Sequence, residues 1–173
     1  RIYLEGGYDR ALESSKIPEK DLYFFRFPQE DWPVDITHWS YFENGDPYRN
    51  YLVAKEHCGL KEADSSNSGT FTNFSQNDQA LYALHAYFMY LKFGFGRANQ
   101  DACIEVRRGA MERQQAVNLV RVYDGNYPEE WIEAYHDYYQ VTPEEFDSAL
   151  DRWANRDLFE KINGRWTPQF EVS

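Results

Sequence analysis

The run QALYALHAYFMYLKFG, residues 79–94, constrains the fold more than any other part of the chain. Leu81, Leu84, His85, Phe88 and Leu91 recur at steps of three and four, the spacing that gathers side chains on one face of an α-helix. A helix this apolar belongs in an interior, so it is expected to form the centre of the fold and to end near Gly94. His85 falls on the apolar face and reads as a hydrogen-bonded core residue rather than a ligand.

Other helices are expected around it. Asp46 and Pro47 supply a cap and a first-turn proline ahead of YRNYLVAKEHCG, which Gly59 closes. Further helices are predicted over 99–108, 112–123, 128–139 and 142–155. The last opens with TPEE, where Thr142 caps, Pro143 takes the first helical position and Glu145 completes a capping box. Between the first two helices lies KEADSSNSGTFTNFSQND, a polar loop long enough to suggest a function. The tail LFEKINGRWTPQFEVS carries an Asn-Gly turn between short aromatic segments and makes either a small hairpin or a surface segment. No stretch sustains the alternation of a strand. The expected architecture is mainly α: a compact multi-helix domain over 46–173, preceded over 1–45 by an irregular, aromatic-rich arm with a short helical piece near Pro18–Phe25.

Composition narrows the function. At 173 residues the chain can bury a core without staples. It carries 18 Lys and Arg against 29 Asp and Glu, a formal net charge of -11, which argues against nucleic acid and against an anionic membrane surface. Any bound anion must be met by a local cluster. Aromatic residues make up 18% of the chain, enough for a packed interior plus an aromatic surface that covers something. Cys58 and Cys103 lack a neighbouring CxxC partner, read as buried thiols, and suit a reducing cytoplasm. No apolar run approaches the roughly 20 residues that span a bilayer. The first residue is Arg1, so the chain reads as a fragment or a processed piece.

Such a local cluster is offered by KFGFGR. Gly94 and Gly96 allow a ligand close to the backbone, amides opening the next helix near Asn99 favour an anion, and Lys92 and Arg97 add charge. Asp101, Glu105 and Arg108 follow at helical spacing and are placed to hold one of the cations, while Thr70 and Asn73 of the polar loop are candidate donors to the same spot. The alternative is structural: Gly94 caps a helix, the phenylalanines are core, and the cations offset nearby acids. The four histidines have no metal-binding spacing, and no metal site or catalytic triad is indicated. EGGYDR, residues 5–10, approaches the SGGxDS pyrophosphate loop, but Glu5 and Arg10 stand where serines are needed and no apolar strand precedes it. A carboxylate there would repel pyrophosphate, so the match is rejected.

GTFTNFSQND, the run from YLKFGFGRANQDACIEVRRG to VYDGNYPE, and YYQVTPEEFDSALDRWANRDLFEKINGRW together resemble the C-terminal region of the N-acetyl sugar amidotransferases of lipopolysaccharide O-antigen and pseudaminic-type sugar biosynthesis. The resemblance runs from PYRNYLVAKEHCGL to the end. It implies an ATP pyrophosphatase-type enzyme that adenylates the amide oxygen of an acetamido (nucleotide-)sugar, after which ammonia from a glutaminase partner displaces AMP and leaves an acetamidino group. ATP and Mg are implied for the whole enzyme and none for this chain alone, because the ATP loop of such families lies in an N-terminal α/β domain that is missing here. Two segments depart from the family pattern. Gly45 and Asp46 stand where it has Trp-Asp, and ERQQ, residues 112–115, where it has Thr-Arg-Glu-Glu. No catalytic residue is expected within this part, and the ligand-binding candidates are Lys92, Gly94, Gly96, Arg97 and Asn99. The other reading is a non-catalytic helical module for homodimerisation or for docking the glutaminase.

Overall fold

A computed structural model describes residues 18–22, 37–75 and 79–173. The chain divides into two compact units, Arg1–Gly45 and Asp46–Ser173. In the first, the described residues form a single turn of helix, α1 (Glu19–Leu22), and a 3-10 turn over Trp39–Tyr41. Trp39, Tyr41 and Phe42 are exposed, and the Trp39 indole donates to Glu43 at 3.0 Å. EGGYDR and the aromatic residues Tyr23, Phe24, Phe25, Phe27 and Trp32 lie outside the described residues.

The second unit is mainly α. Its helices are α2 (Pro47–Cys58), α3 (Leu81–Phe93), α4 (Arg97–Arg107), α5 (Arg113–Tyr123), α6 (Ile132–Tyr139) and α7 (Pro143–Trp153). Local chemistry sets several of their ends. Asp46 accepts from the Arg49 amide at 2.9 Å to open α2, and Gly59 closes it in the left-handed region at φ 69°. Thr142 and Glu145 form the reciprocal capping box of α7, and Glu112 with Gln115 forms another at α5. α4 begins at Arg97, two residues ahead of the predicted Asn99, with Gly96 as its cap residue. The helix expected from Pro128 instead starts as a 3-10 turn over Glu129–Trp131 before α6.

The tail folds back as an antiparallel hairpin, β1 (Phe159–Ile162) with β2 (Arg165–Pro168), in which Ile162 faces Arg165 and Phe159 faces Pro168. Asn163 and Gly164 both take positive φ, 50° and 82°, as the two-residue turn of a right-twisted hairpin demands.

α3 is the centre. It buries Tyr82, Ala83, Leu84, Ala86, Tyr87, Tyr90 and Leu91, a far wider band than one stripe. The main core packs its Leu84, Tyr87, Tyr90 and Leu91 against Tyr135 of α6, Phe146 and Leu150 of α7, and Phe159 of β1. A smaller cluster joins Ala102 of α4 to Ala116 and Val120 of α5, with Phe71 and Val172 packed on it. Two expectations are corrected. His85 is exposed, because burial on both flanks of α3 leaves its position as the helix's outlet to solvent. Cys58 and Cys103 are exposed too: each sits on a helix face that the other described residues leave open to solvent.

Candidate functional site

The first turn of α4 organises the region around KFGFGR. Its amides already have an anion, the carboxylate of Asp124, which accepts from Gly96 N at 2.8 Å and from Asn99 N at 3.3 Å. An acid at this position complements the positive end of the helix dipole. Burial nevertheless raises the Asp124 pKa above the usual aspartate range, against the pull of the amides of Gly96, Asn99 and Ala98. Two glycines make the contact possible. A Cβ on Gly96 would lie 2.8 Å from Asp124 Oδ1. Gly125, at φ 77°, lies against the Tyr90 ring so closely that a Cβ would stand 2.4 Å from Cε1. KFGFGR and the YDG element are therefore the two sides of one contact.

A second set of bonds ties the polar loop to the same turn. Ala98 N donates to Gly69 O at 2.9 Å. Thr70, fully buried, donates from Oγ1 to Asp101 Oδ2 at 2.7 Å, and Asp101 Oδ1 accepts from Arg97 Nε at 2.8 Å. Asp101 thus holds Arg97 at one nitrogen, and the guanidinium lies over the Tyr82 ring, 5.9 Å from its centroid. The two terminal nitrogens of Arg97 make no hydrogen bond to the described residues. Arg97 helps line a small cavity of about 110 Å³ with Tyr82, His85, Ala86, Met89 and Gln100. The Tyr82 hydroxyl is buried without a partner, and burial pushes its pKa up to about 12, so it stays protonated.

The remaining candidates go elsewhere. Among the described residues Lys92 pairs with no acid: its ammonium sits 4.8 Å from the Trp153 ring centroid at the end of α7 and 5.3 Å from that of Phe93. Its carbonyl accepts from Asn155 Nδ2 at 3.5 Å. Gly94 ends α3 at φ 78° with its amide on Tyr90 O. Glu105 pairs with Arg108, which also reaches Asp46 Oδ2 at 3.2 Å and so links the end of α4 to the start of α2. Asn73 donates from Nδ2 to Ala63 O at 3.1 Å within the polar loop. The structure therefore joins Thr70, Asp101 and Arg97 in one chain of bonds, and Gly96 and Asn99 in another through Asp124. Lys92, Asn73 and the Glu105–Arg108 pair have other neighbours.

Asp124 and Tyr82 were not identified from sequence. Asp124 had a signal in the Asp-Gly pair of YDG, a turn dipeptide whose acid is free to turn inward. Tyr82 had none, since one more aromatic on an apolar helix reads as core. Among the described residues, no three His, Cys, Asp or Glu side chains gather as a metal site, and no helix is long and apolar enough to cross a membrane.

Comparison with known proteins gives the same region its family. No curated protein matches the chain. Residues 68–171 match the model of the C-terminal domain of WbpG-like lipopolysaccharide biosynthesis proteins. That range begins at the loop that carries Thr70 and runs through α3 to the hairpin, taking in both halves of the Asp124 contact. The chain belongs to the WbpG-like C-terminal domain family of lipopolysaccharide biosynthesis proteins.

Proposed function

We propose that this chain is the C-terminal helical part of an ATP-dependent amidotransferase, which converts an acetamido group on a nucleotide-linked sugar to an acetamidino group during surface polysaccharide synthesis in the cytoplasm. The family match over residues 68–171 carries this reading, and the KFGFGR and YDG elements that resemble the amidotransferases support it. In that reaction the amide oxygen attacks the α-phosphorus of ATP and pyrophosphate leaves. Ammonia then adds to the activated carbon, and AMP departs with the former amide oxygen. In this reading a separate N-terminal domain would supply the ATP loop, where Mg would neutralise the phosphates. A glutaminase supplies the ammonia.

The geometry limits what this part contributes. The start of α4 does not fit a phosphate, because Asp124 occupies its amides and a second anion would meet that carboxylate at close range. Arg97 keeps its two terminal nitrogens free of hydrogen bonds to the described residues beside a small cavity, and Asp101 fixes its direction. Its role is to orient an oxyanion of the substrate, with Thr70 as the buried support of Asp101.

The test is the complete reading frame, assayed with Mg-ATP, ammonium and a panel of nucleotide-linked N-acetyl sugars. The reading requires AMP release that depends on both sugar and ammonia, with exchange of the amide oxygen for NH in the product by mass spectrometry. AMP release indifferent to either, or none across the panel, refutes it. One observation favours a docking role beside this. Phe93, Phe95 and Trp153 are 55, 41 and 52% exposed, with Lys92 between Phe93 and Trp153, an aromatic face suited to the glutaminase or to a second copy of the chain. Loss of sugar-dependent AMP release with glutamine but not with free ammonium, in a Trp153→Ala enzyme, marks that role.

A further inference from the structure

A cavity of about 230 Å³ lies between α3, α7 and the hairpin, lined by Tyr87, Tyr127, Asp147, Leu150, Asp151, Lys161, Gly164, Arg165 and Trp166, none of which belongs to the network around α4. We propose that it binds a neutral pyranose ring. The argument rests on the chemistry of the walls and takes from the proposed function only the choice of probe.

The cations in the wall are matched by acids. Asp151 is paired with Lys161 at 2.6 Å and accepts from the Trp166 indole at 3.0 Å. Arg165 pairs with Glu129 outside the cavity and lies 4.3 Å from the Tyr127 ring centroid. With its cations already matched by acids, the cavity has no surplus positive charge to hold a phosphate. Two polar groups remain uncommitted among the described residues. Asp147 makes no ion pair or hydrogen bond. Tyr87, only 5% exposed, makes no hydrogen bond from its hydroxyl, which burial keeps protonated with a pKa of about 12.

A pyranose answers this arrangement. Its hydroxyls donate to a free carboxylate such as Asp147 and accept from a phenol such as Tyr87, while its C–H face packs on an indole or phenol ring such as Trp166 or Tyr127. Leu150, 4% exposed, closes the floor. The Asn163–Gly164 turn holds Arg165 and Trp166 at the rim, so the hairpin is the element that completes the site.

Isotope-labelled 173-residue chain, titrated by NMR with N-acetylglucosamine, N-acetylgalactosamine and N-acetylmannosamine, tests this. The expected result is saturable movement of the Gly164 and Arg165 amides and the Trp166 indole for at least one sugar. Tyr87→Phe and Asp147→Asn should each weaken that binding about threefold to tenfold, the loss of one hydrogen bond. Both should melt close to the parent, since neither group has a partner inside the protein. Absence of saturable movement for all three sugars up to about 0.1 M, far above millimolar affinity, overturns the proposal. So does unchanged affinity in either variant, and so does inorganic phosphate moving the same resonances more strongly than any sugar. Failure here leaves the AMP-release assay of the full-length enzyme unaffected, and failure there leaves this titration unaffected.

Discussion

Replacing Asp124 with alanine tests the contact on which the geometry of α4 depends. The side chain acts as a cap supplied from 25 to 28 residues away, accepting from Gly96 N at 2.8 Å and Asn99 N at 3.3 Å. A hydrogen bond to a charged partner contributes about 1.5–3 kcal/mol, and loss of a helix N-cap costs about 0.5–2 kcal/mol. The Gly96 bond is short and the Asn99 bond long, and the buried carboxylate carries an opposing desolvation cost, visible in its raised pKa. The net cost of Asp124→Ala is therefore about 2 kcal/mol, near the upper end for a cap. For a domain of this size that lowers Tm by about 6–10 °C. Asp124→Asn keeps an acceptor and sheds the buried charge, so it should cost less than about 1 kcal/mol, asparagine being as good a cap as aspartate. Thermal melts rank the three proteins, and hydrogen exchange at the Gly96 and Asn99 amides locates the effect. An Asp124→Ala protein melting within about 2 °C of the parent, well short of that shift, with both amides still protected, would refute the reasoning.

Three further outcomes are expected. Gly125→Ala sets a Cβ 2.4 Å from the Tyr90 ring at a φ of 77°, combining overpacking with backbone strain, and should destabilise by about 2–4 kcal/mol in denaturant unfolding. Thr70→Val removes the hydroxyl that donates to buried Asp101 at 2.7 Å and should cost about 1.5–3 kcal/mol, whereas Tyr82→Phe, which deletes a buried hydroxyl without a partner, should be neutral or stabilising by up to about 1 kcal/mol. Asp151 has its pKa held below the ordinary aspartate value, first by its bond to Lys161. Its contribution is present above that ordinary value and is lost as the pH falls through the depressed folded pKa, so the Trp166 indole resonance should shift on acidification in the parent and not in Asp151→Asn.

Where short-range chemistry decides structure, the residues announce it. Asp46 with Gly59, and Thr142 with Glu145, bound helices because each cap bonds to amides or carbonyls within a few residues. Asn163 and Gly164 enforce the hairpin because few other pairs tolerate two consecutive positive φ values. The apolar weight of α3 places it at the centre for the same kind of reason. The candidate site was legible only in part. Arg97 and Asp101 lie at i and i+4 on one helix, so their pairing follows from helical geometry. That Asp124 fills the amides of α4, that Lys92 rests on Trp153 rather than beside Arg97, and that His85 faces solvent all depend on how separate helices pack. So does the cavity between α3, α7 and the hairpin. Such contacts join residues from 25 to more than 60 positions apart, and only the closing of the core brings those residues together, because no local preference records which distant side chain will meet a given helix end.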